Sequence, residues 1–488
     1  MPVKPNRKVL VAFGLTATVA AAFLGAGAQT SLPPVELTYT YPGGVPRDVQ
    51  AVSDALSAIT KRRFNATIKL QPVDWGAYEQ RRQLAFGAGE KCDIVFTAPW
   101  INNFYRNVTQ GNLLPLDDLL AKSPRLFRTL APELWEAARV DGKIYAVINQ
   151  QLFPKMWGFM VTKTFADKYR LNLDTVRQYE DLEPFLANIK KNEPGVVPFH
   201  GGSIFDPARP ELMGWDPIVN QGAVIRYNDA TLKVFNAFET PEMRRYVELA
   251  RKWYNLGYLT PQGTNQADYE ATIKAGKAAA IQNQWRPDQG PSFKARYGVE
   301  VVGKNFSPVF VATSSINATM NAICKTSANP ERAMMFLELI NTDRAAYNLL
   351  AKGIEGKHWN FTNRVQGTIA TVPDSGYAPG TDWMFGNAFN AYQANAADVQ
   401  QNRASIALNR SARASAALGF TFDIENVKTE IAQLDAVIKE YGGPLFGGAV
   451  DPATGIPELQ RRVKAAGIDR VIAEAQKQLN DWKAKNKK

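Results

Sequence analysis

The chain has 488 residues, 45% of them hydrophobic and 11% aromatic, which is too long for one ordinary core and too apolar for a disordered protein. Its formal charge is +11, and Lys4, Arg7 and Lys8 at the very start account for three of those charges, leaving +8 for the rest. The other Lys and Arg residues are scattered among acidic ones rather than gathered in a stripe with interleaved aromatics, so nucleic acid is set aside as a partner.

Residues 1–28 form a unit of their own: a basic start, an apolar run from Val9 to Leu24, and Ala26-Gly27-Ala28 as a small-residue cleavage site. This reads as a secretory signal peptide cut after Ala28; the alternative is a retained membrane anchor, since the run is only a little short of a spanning helix. No cysteine lies beside that site to carry a lipid, and no later stretch is long and apolar enough to span a membrane. The expectation is a soluble, exported, periplasmic protein.

The mature chain opens with Val35 to Tyr41 alternating in the manner of a strand and stopped by Pro42-Gly43-Gly44. Val49, Val52, Leu56 and Ile59 recur at helical spacing, a strand follows at 66–70, a short helix around Tyr78 to Leu84, and a strand at 93–96. This β-α-β-α-β order predicts a parallel sheet with crossover helices. Ligands in such sheets sit beyond the carboxyl ends of the strands, where this chain has Tyr41 and Thr97-Ala98-Pro99-Trp100.

Asp141-Gly142 is a tight-turn dipeptide, and Ile144 to Ile148 and Trp157 to Val161 are strand candidates on either side of a polar, Pro-containing link. That link suits a chain leaving one domain for another, or an ordinary loop in one large domain. Further on, helices are expected at 175–191, from Thr240 as N-cap with Pro241 at N1, from Asn329-Pro330, and at 387–408, 423–440 and 457–484; residues 315–324 alternate like a strand. Cys92 and Cys324, the only cysteines, each adjoin a strand candidate. A disulfide and two buried thiols both fit the sequence, which does not fix their separation.

Enzyme chemistry has little to stand on. The chain has only His200 and His358, neither cysteine sits in a metal-ligand spacing, and there is no G-x-S-x-G elbow or phosphate-binding glycine loop. A two-carboxylate glycoside hydrolase or lyase stays open as an alternative, because spatial separation rather than motif defines that pair. No cofactor and no metal is called for.

Several segments resemble the extracellular solute-binding proteins of ABC importers, in the sugar-binding group. Asp141-Gly142-Lys143-Ile144-Tyr145-Ala146-Val147 is similar to that family's lead into its first crossover, although Ile148 stands where proline is usual. Trp157 to Lys163 resembles the strand that follows, and Gly276 to Ala280 with Trp285 resembles a glycine-lysine motif and a nearby pocket tryptophan. Ser314 to Met320, Asn329 to Glu338 and Gly353 to Trp359 resemble a subgroup related to the LplA-type lipoproteins.

The resemblance implies a type II two-lobed α/β fold. Each lobe would be a mixed, mostly parallel sheet flanked by helices, with extra helices at the C-terminus. Lobe 1 would comprise 29–149 and 313–372, and lobe 2 would comprise 150–312 and 373–488. It implies a monomer that holds a carbohydrate, an oligosaccharide by preference, between the lobes and delivers it to the transmembrane subunits of an ABC permease, without being an enzyme. A peptide is the other ligand class that such a cleft would take.

A sugar pocket needs aromatic faces for C–H stacking together with polar groups for the hydroxyls. The ligand candidates are therefore Trp100 at a strand end, Trp157 with Gln150 and Gln151 at the link, Trp215 beside Asp216, Trp285 beside Arg286, Trp383 in a loop, Tyr41, and Trp75 with Tyr78. For each tryptophan the opposing reading is core packing. In Gly353 to Trp359, Glu355 and His358 could touch ligand, but a structural role as a helix-ending cap is favoured.

Overall fold

The computed structural model describes residues 32–486 apart from 202–203, 205–208 and 261–265. The expected signal peptide lies outside the described residues. The first sheet has the order Ala66–Val73, Val35–Pro42, Ile94–Thr97, Met320–Ile323, Val147–Ile148. Its first three strands are parallel, Tyr39 lying opposite both Leu70 and Ile94. They are parallel because the helices Val49–Phe64 and Trp75–Gly87 return the chain between them. Leu37, Tyr39 and Tyr41, the apolar side of the alternation, are completely or almost completely buried.

Arg139–Val140 and Lys143–Ile144 form the expected hairpin. Asp141 and Gly142 have φ of 46° and 80°, the paired positive values of the turn that matches strand twist. Val147–Ile148 then joins the first sheet, whereas Trp157–Thr162 belongs to a second one of order Val301–Asn305, Trp157–Thr162, Ala278–Gln284, Val197–His200. The chain thus passes between two cores: Phe153 is buried in the first and Phe159 in the second. A second passage runs through Phe310–Val311, which pairs in parallel with Arg413–Ala414.

The chain does not leave the first core at 373 as expected. Tyr377, Met384, Phe385 and Ala391 are all buried in it, and the passage back is made by the helix Ala396–Ser411 before Ala417 enters the second core. Several helices are shorter than their periodicity suggests. The one expected from 175 is a pair of 3-10 turns followed by Glu183–Asn192, because Pro184 is tolerated only in a first turn. The one expected at 387 starts at Ala396, where Asn395 caps it, and the one at 457–484 is two helices, Pro452–Ala465 and Ile468–Asn486. Within 315–324 only Met320–Ile323 is strand, since Thr313–Ile316 is a helical turn. The C-terminal helices bury Leu434, Leu459, Val463, Val471 and Leu479 in the second core, so they complete it rather than form a separate body.

Cys92 and Cys324 form a disulfide with Cα atoms 5.8 Å apart. They flank the antiparallel pair in which Ile94 lies opposite Ile323, so adjacent strands deliver both sulfurs to one end of the first sheet.

Candidate functional site

Three tryptophans converge beyond the carboxyl ends of the first sheet. Trp75 opens the helix that follows Val73, with Asp74 Oδ1 accepting the backbone N–H of Gly76 at 2.9 Å. Trp100 sits in the turn after Thr97, held by an Ala98 N–H to Ile101 C=O bond and by its own Nε1, which donates to Ala318 C=O at 2.7 Å. Trp383 lies in the short 3-10 turn Asp382–Met384. The Trp75 ring is 6.2 Å from Trp100 and 6.1 Å from Trp383, with interplanar angles of 20° and 29°, and Trp100 and Trp383 are 6.2 Å apart. Phe96, fully buried, supports both Trp100 and Trp383 edge-on. The result is one aromatic surface with Trp100 55% and Trp75 38% exposed. Because the Trp100 N–H is already used on a backbone carbonyl, what the surface offers is ring face, suited to apolar C–H groups. One turn after Trp75, Glu79 accepts from Arg106 and from the Asn102 backbone, placing a half-exposed ion pair beside the surface.

The second sheet carries a different arrangement. The Arg209 guanidinium lies 4.7 Å from the centroid of the Trp157 ring and also donates to Gln282 Oε1. Gln282 is oriented by bonds to Tyr179 Oη at 3.1 Å and Ile204 C=O at 2.9 Å. Trp157 Nε1 is buried and has no hydrogen-bond partner among the described residues, a donor that a ligand or water would satisfy. Arg286 is partly exposed and bonded to Asp288 and Gln289, each at 3.2 Å. Neither Arg209 nor Gln282 was among the sequence candidates; Arg209 lies outside any strand, and nothing in its neighbourhood in sequence marks it.

The other candidates are placed as follows. Tyr41 is buried with its ring 4.9 Å from Phe385 and edge-on to it. Tyr78 is buried and donates to Phe96 C=O at 2.8 Å. Trp215 is fully buried and edge-on to Phe235. These three are corrected to packing residues: each has its ring enclosed, so none presents a face. Asp216 is also buried, accepting from Ser415, and burial pushes its carboxyl up to about 7. Trp285 folds over Gly303, where a Cβ would come within 2.6 Å of its ring, and its backbone N–H and C=O both bond to the Asn305 amide. Gln150 is buried and ladders with Asn387 through its backbone, and Gln151 donates to Thr319 Oγ1 at 3.0 Å. In Gly353 to Trp359, His358 Nδ1 accepts the Ile354 N–H at 2.7 Å, its Nε2 meets Asp48 at 3.1 Å, and Trp359 Nε1 donates to Gly353 C=O at 2.8 Å. The segment is structural. Among the described residues no group of His, Cys, Asp and Glu is arranged to hold a metal ion.

A family model described as bacterial extracellular solute-binding protein matches residues 48–347. The chain belongs to the bacterial extracellular solute-binding proteins. A second model, a domain of unknown function, matches residues 416–484 of this solute-binding protein, the helices that complete its second core. It is 29% identical over 463 residues, 91% of its length and 90% of the relative's, to a carbohydrate ABC transporter substrate-binding protein of Streptococcus pneumoniae.

Its structure is similar to the N-glycan transport solute binding protein NgtS of the same organism, with 28% identity, 93% and 100% of the two chains covered, and a TM-score of 0.80. NgtS in complex with Man1GlcNAc matches at 27% identity with a TM-score of 0.66, covering 92% and 99%. The Man5GlcNAc complex matches at 28% with 0.63, covering 93% and 100%. The family consists of binding proteins rather than enzymes, and the hydrolase alternative falls with that. No helix among the described residues of this solute-binding protein is long and apolar enough to cross a membrane.

Proposed function

We propose that this solute-binding protein captures an oligosaccharide and delivers it to the transmembrane subunits of an ABC permease. The observation that carries the reading is the surface made by Trp75, Trp100 and Trp383: three adjoining rings, two well exposed, at the strand ends where this fold class places ligands. Trp157, whose N–H has no partner among the described residues, Arg209 and Arg286 supply hydrogen bonds from the second lobe. The lobes divide at 149–156 and near 312, and the helix Ala396–Ser411 makes the third connection. Residues 1–28 act as a signal peptide, cleavage after Ala28 releases a soluble periplasmic monomer, and no cofactor takes part.

Capture works by population shift, because only a closed arrangement lets both lobes touch the sugar. The NgtS comparisons support this. Their identities to this chain are nearly equal, 27–28%, yet the TM-score is 0.80 for the structure described without a glycan and 0.66 and 0.63 for the two complexes. Sequence divergence does not account for that spread; a different lobe arrangement in the complexes would produce it, and this chain is more similar to the first structure.

The test is calorimetry across neutral and acidic oligosaccharides, Man5GlcNAc included, followed by solution scattering with the best binder. Binding of an oligosaccharide with a smaller radius of gyration is expected. No binding across the panel would overturn the carbohydrate reading, and binding at unchanged radius would overturn closure.

A further inference from the structure

A buried polar network joins Trp383 to the first crossover. Asn149, Asn321 and Tyr39 are all fully buried. Tyr39 Oη donates to Asn321 Oδ1 at 2.8 Å, and Asn321 Nδ2 donates to Asn149 Oδ1 at 2.7 Å and to Met384 C=O at 3.0 Å. Asn149 Nδ2 donates to the same Met384 carbonyl at 2.9 Å, while Asn149 Oδ1 also accepts the Gly386 N–H at 3.0 Å. Both amides are thus satisfied at their donor and acceptor ends, the condition under which a buried network rigidifies its surroundings.

The loop so held is the one that carries Trp383. Its backbone is stitched to the crossover as well, the Gln150 N–H reaching Gly386 C=O at 2.7 Å and the Ala388 N–H reaching Gln150 C=O at 2.9 Å. Gly386 fits because it has φ of 74° and no Cβ to press on Ile340 C=O, which one would approach to 3.0 Å. Asn321 lies on Met320–Ile323 and Asn149 directly follows Val147–Ile148, so two neighbouring strands anchor the loop.

We infer that Asn321 and Asn149 are positioning residues: they fix Trp383 within the aromatic surface and tie it to the first inter-lobe crossover. Sugar stacked on Trp383 is thereby connected to the segment that bends on closure. The inference rests on the proposed role of the tryptophan surface, and its test separates the two.

Fluorotryptophan-labelled protein gives one fluorine NMR resonance per ring, with that of Trp383 assigned by Trp383→Phe. Asn321→Ala is expected to move the Trp383 resonance and to weaken Man5GlcNAc binding about tenfold, the equivalent of one buried hydrogen bond left unmade. Tyr39→Phe, which keeps its ring among Tyr41, Phe336 and Phe385, moves the resonance less and serves if Asn321→Ala does not fold. Val52→Ala, a core truncation in the helix Val49–Phe64, should lower stability while leaving resonance and affinity unchanged. An unmoved Trp383 resonance in both network variants would overturn the inference. A moved resonance with unchanged affinity would uphold the positioning and overturn the role of Trp383 in binding.

Discussion

The two lobes differ in where their accessible tryptophan rings stand, although the first also buries Trp135 and Trp359. In the first, Trp75 at a helix start, Trp100 in a turn and Trp383 in a 3-10 turn stand beyond the strand ends, Trp75 and Trp100 exposed and Trp383 partly buried. In the second, Trp215 and Trp253 are fully buried, Trp285 lies over Gly303, and Trp157 is covered by Arg209. Trp253 even has its N–H paired, with Glu183 Oε1 at 3.0 Å. A polar neighbour in sequence is therefore no guide to an exposed ring: Trp215-Asp216 has one and is core, whereas Trp100 is flanked by Pro99 and Ile101 and is exposed. Position at the end of a parallel strand is the better guide. Affinity should thus depend mainly on aromatic residues of the first lobe, and tryptophan changes in the second, Trp157 apart, should act on stability.

The first lobe is also the one with a disulfide, which links residues 232 apart in sequence. The largest expected effect follows from breaking it: Cys92→Ala with Cys324→Ala should cost up to ~5 kcal/mol of stability by the chain-entropy account, read as a lowered denaturation midpoint. If two transitions are seen, the lower should be the one that abolishes glycan binding.

Next is Trp215→Ala, expected to destabilise by roughly 3–5 kcal/mol through the cavity it leaves. Where the variant remains folded its affinity should be unchanged; a large loss of affinity at unchanged stability would erase the contrast between the lobes.

Asp216 makes a pH-dependent prediction. Its folded carboxyl is raised to about 7 chiefly by burial, with the Ser415 bond acting in the opposite direction, while an unfolded Asp titrates near ~4. The folded state consequently holds the extra proton between these values. Stability is highest below that window, falls as pH rises through it and levels off above, by up to a few kcal/mol. Thermal midpoints at about pH 5 and about pH 8 should differ in that sense, and Asp216→Asn should flatten the difference. The smallest effect is expected from Trp157→Ala, about 1 kcal/mol of affinity for the loss of one partly covered ring, measured by calorimetry. A loss as large as that from a first-lobe tryptophan would move the centre of the site across the cleft.

Much of the fold was legible because its signals are local. The alternation at Val35 to Tyr41, the Thr240 cap with its Oγ1 accepting the Met243 N–H at 3.2 Å, and the Asp141-Gly142 turn are each written in a few adjacent residues. Helix ends were less legible where Pro184 or Asn395 sets them against an apolar periodicity that runs on. The strand-end rule pointed to Trp75 and Trp100 and a loop position to Trp383, three rings that the fold brings side by side. It could not separate them from Trp215, because enclosure depends on what arrives from elsewhere in the chain, in that case Phe235 and the strand Ala223–Arg226. Arg209 and the Asn149–Asn321 pair were invisible for the same reason: the two asparagines are 172 residues apart.

The most direct measurement is calorimetric titration of Man5GlcNAc, or of the best binder from an oligosaccharide panel, into the wild type and Trp100→Ala. Trp100 is the most exposed ring of the surface, and its loss should weaken binding by about 2 kcal/mol, roughly 30-fold, with the thermal midpoint little changed. Equal affinity in the two proteins would contradict the account.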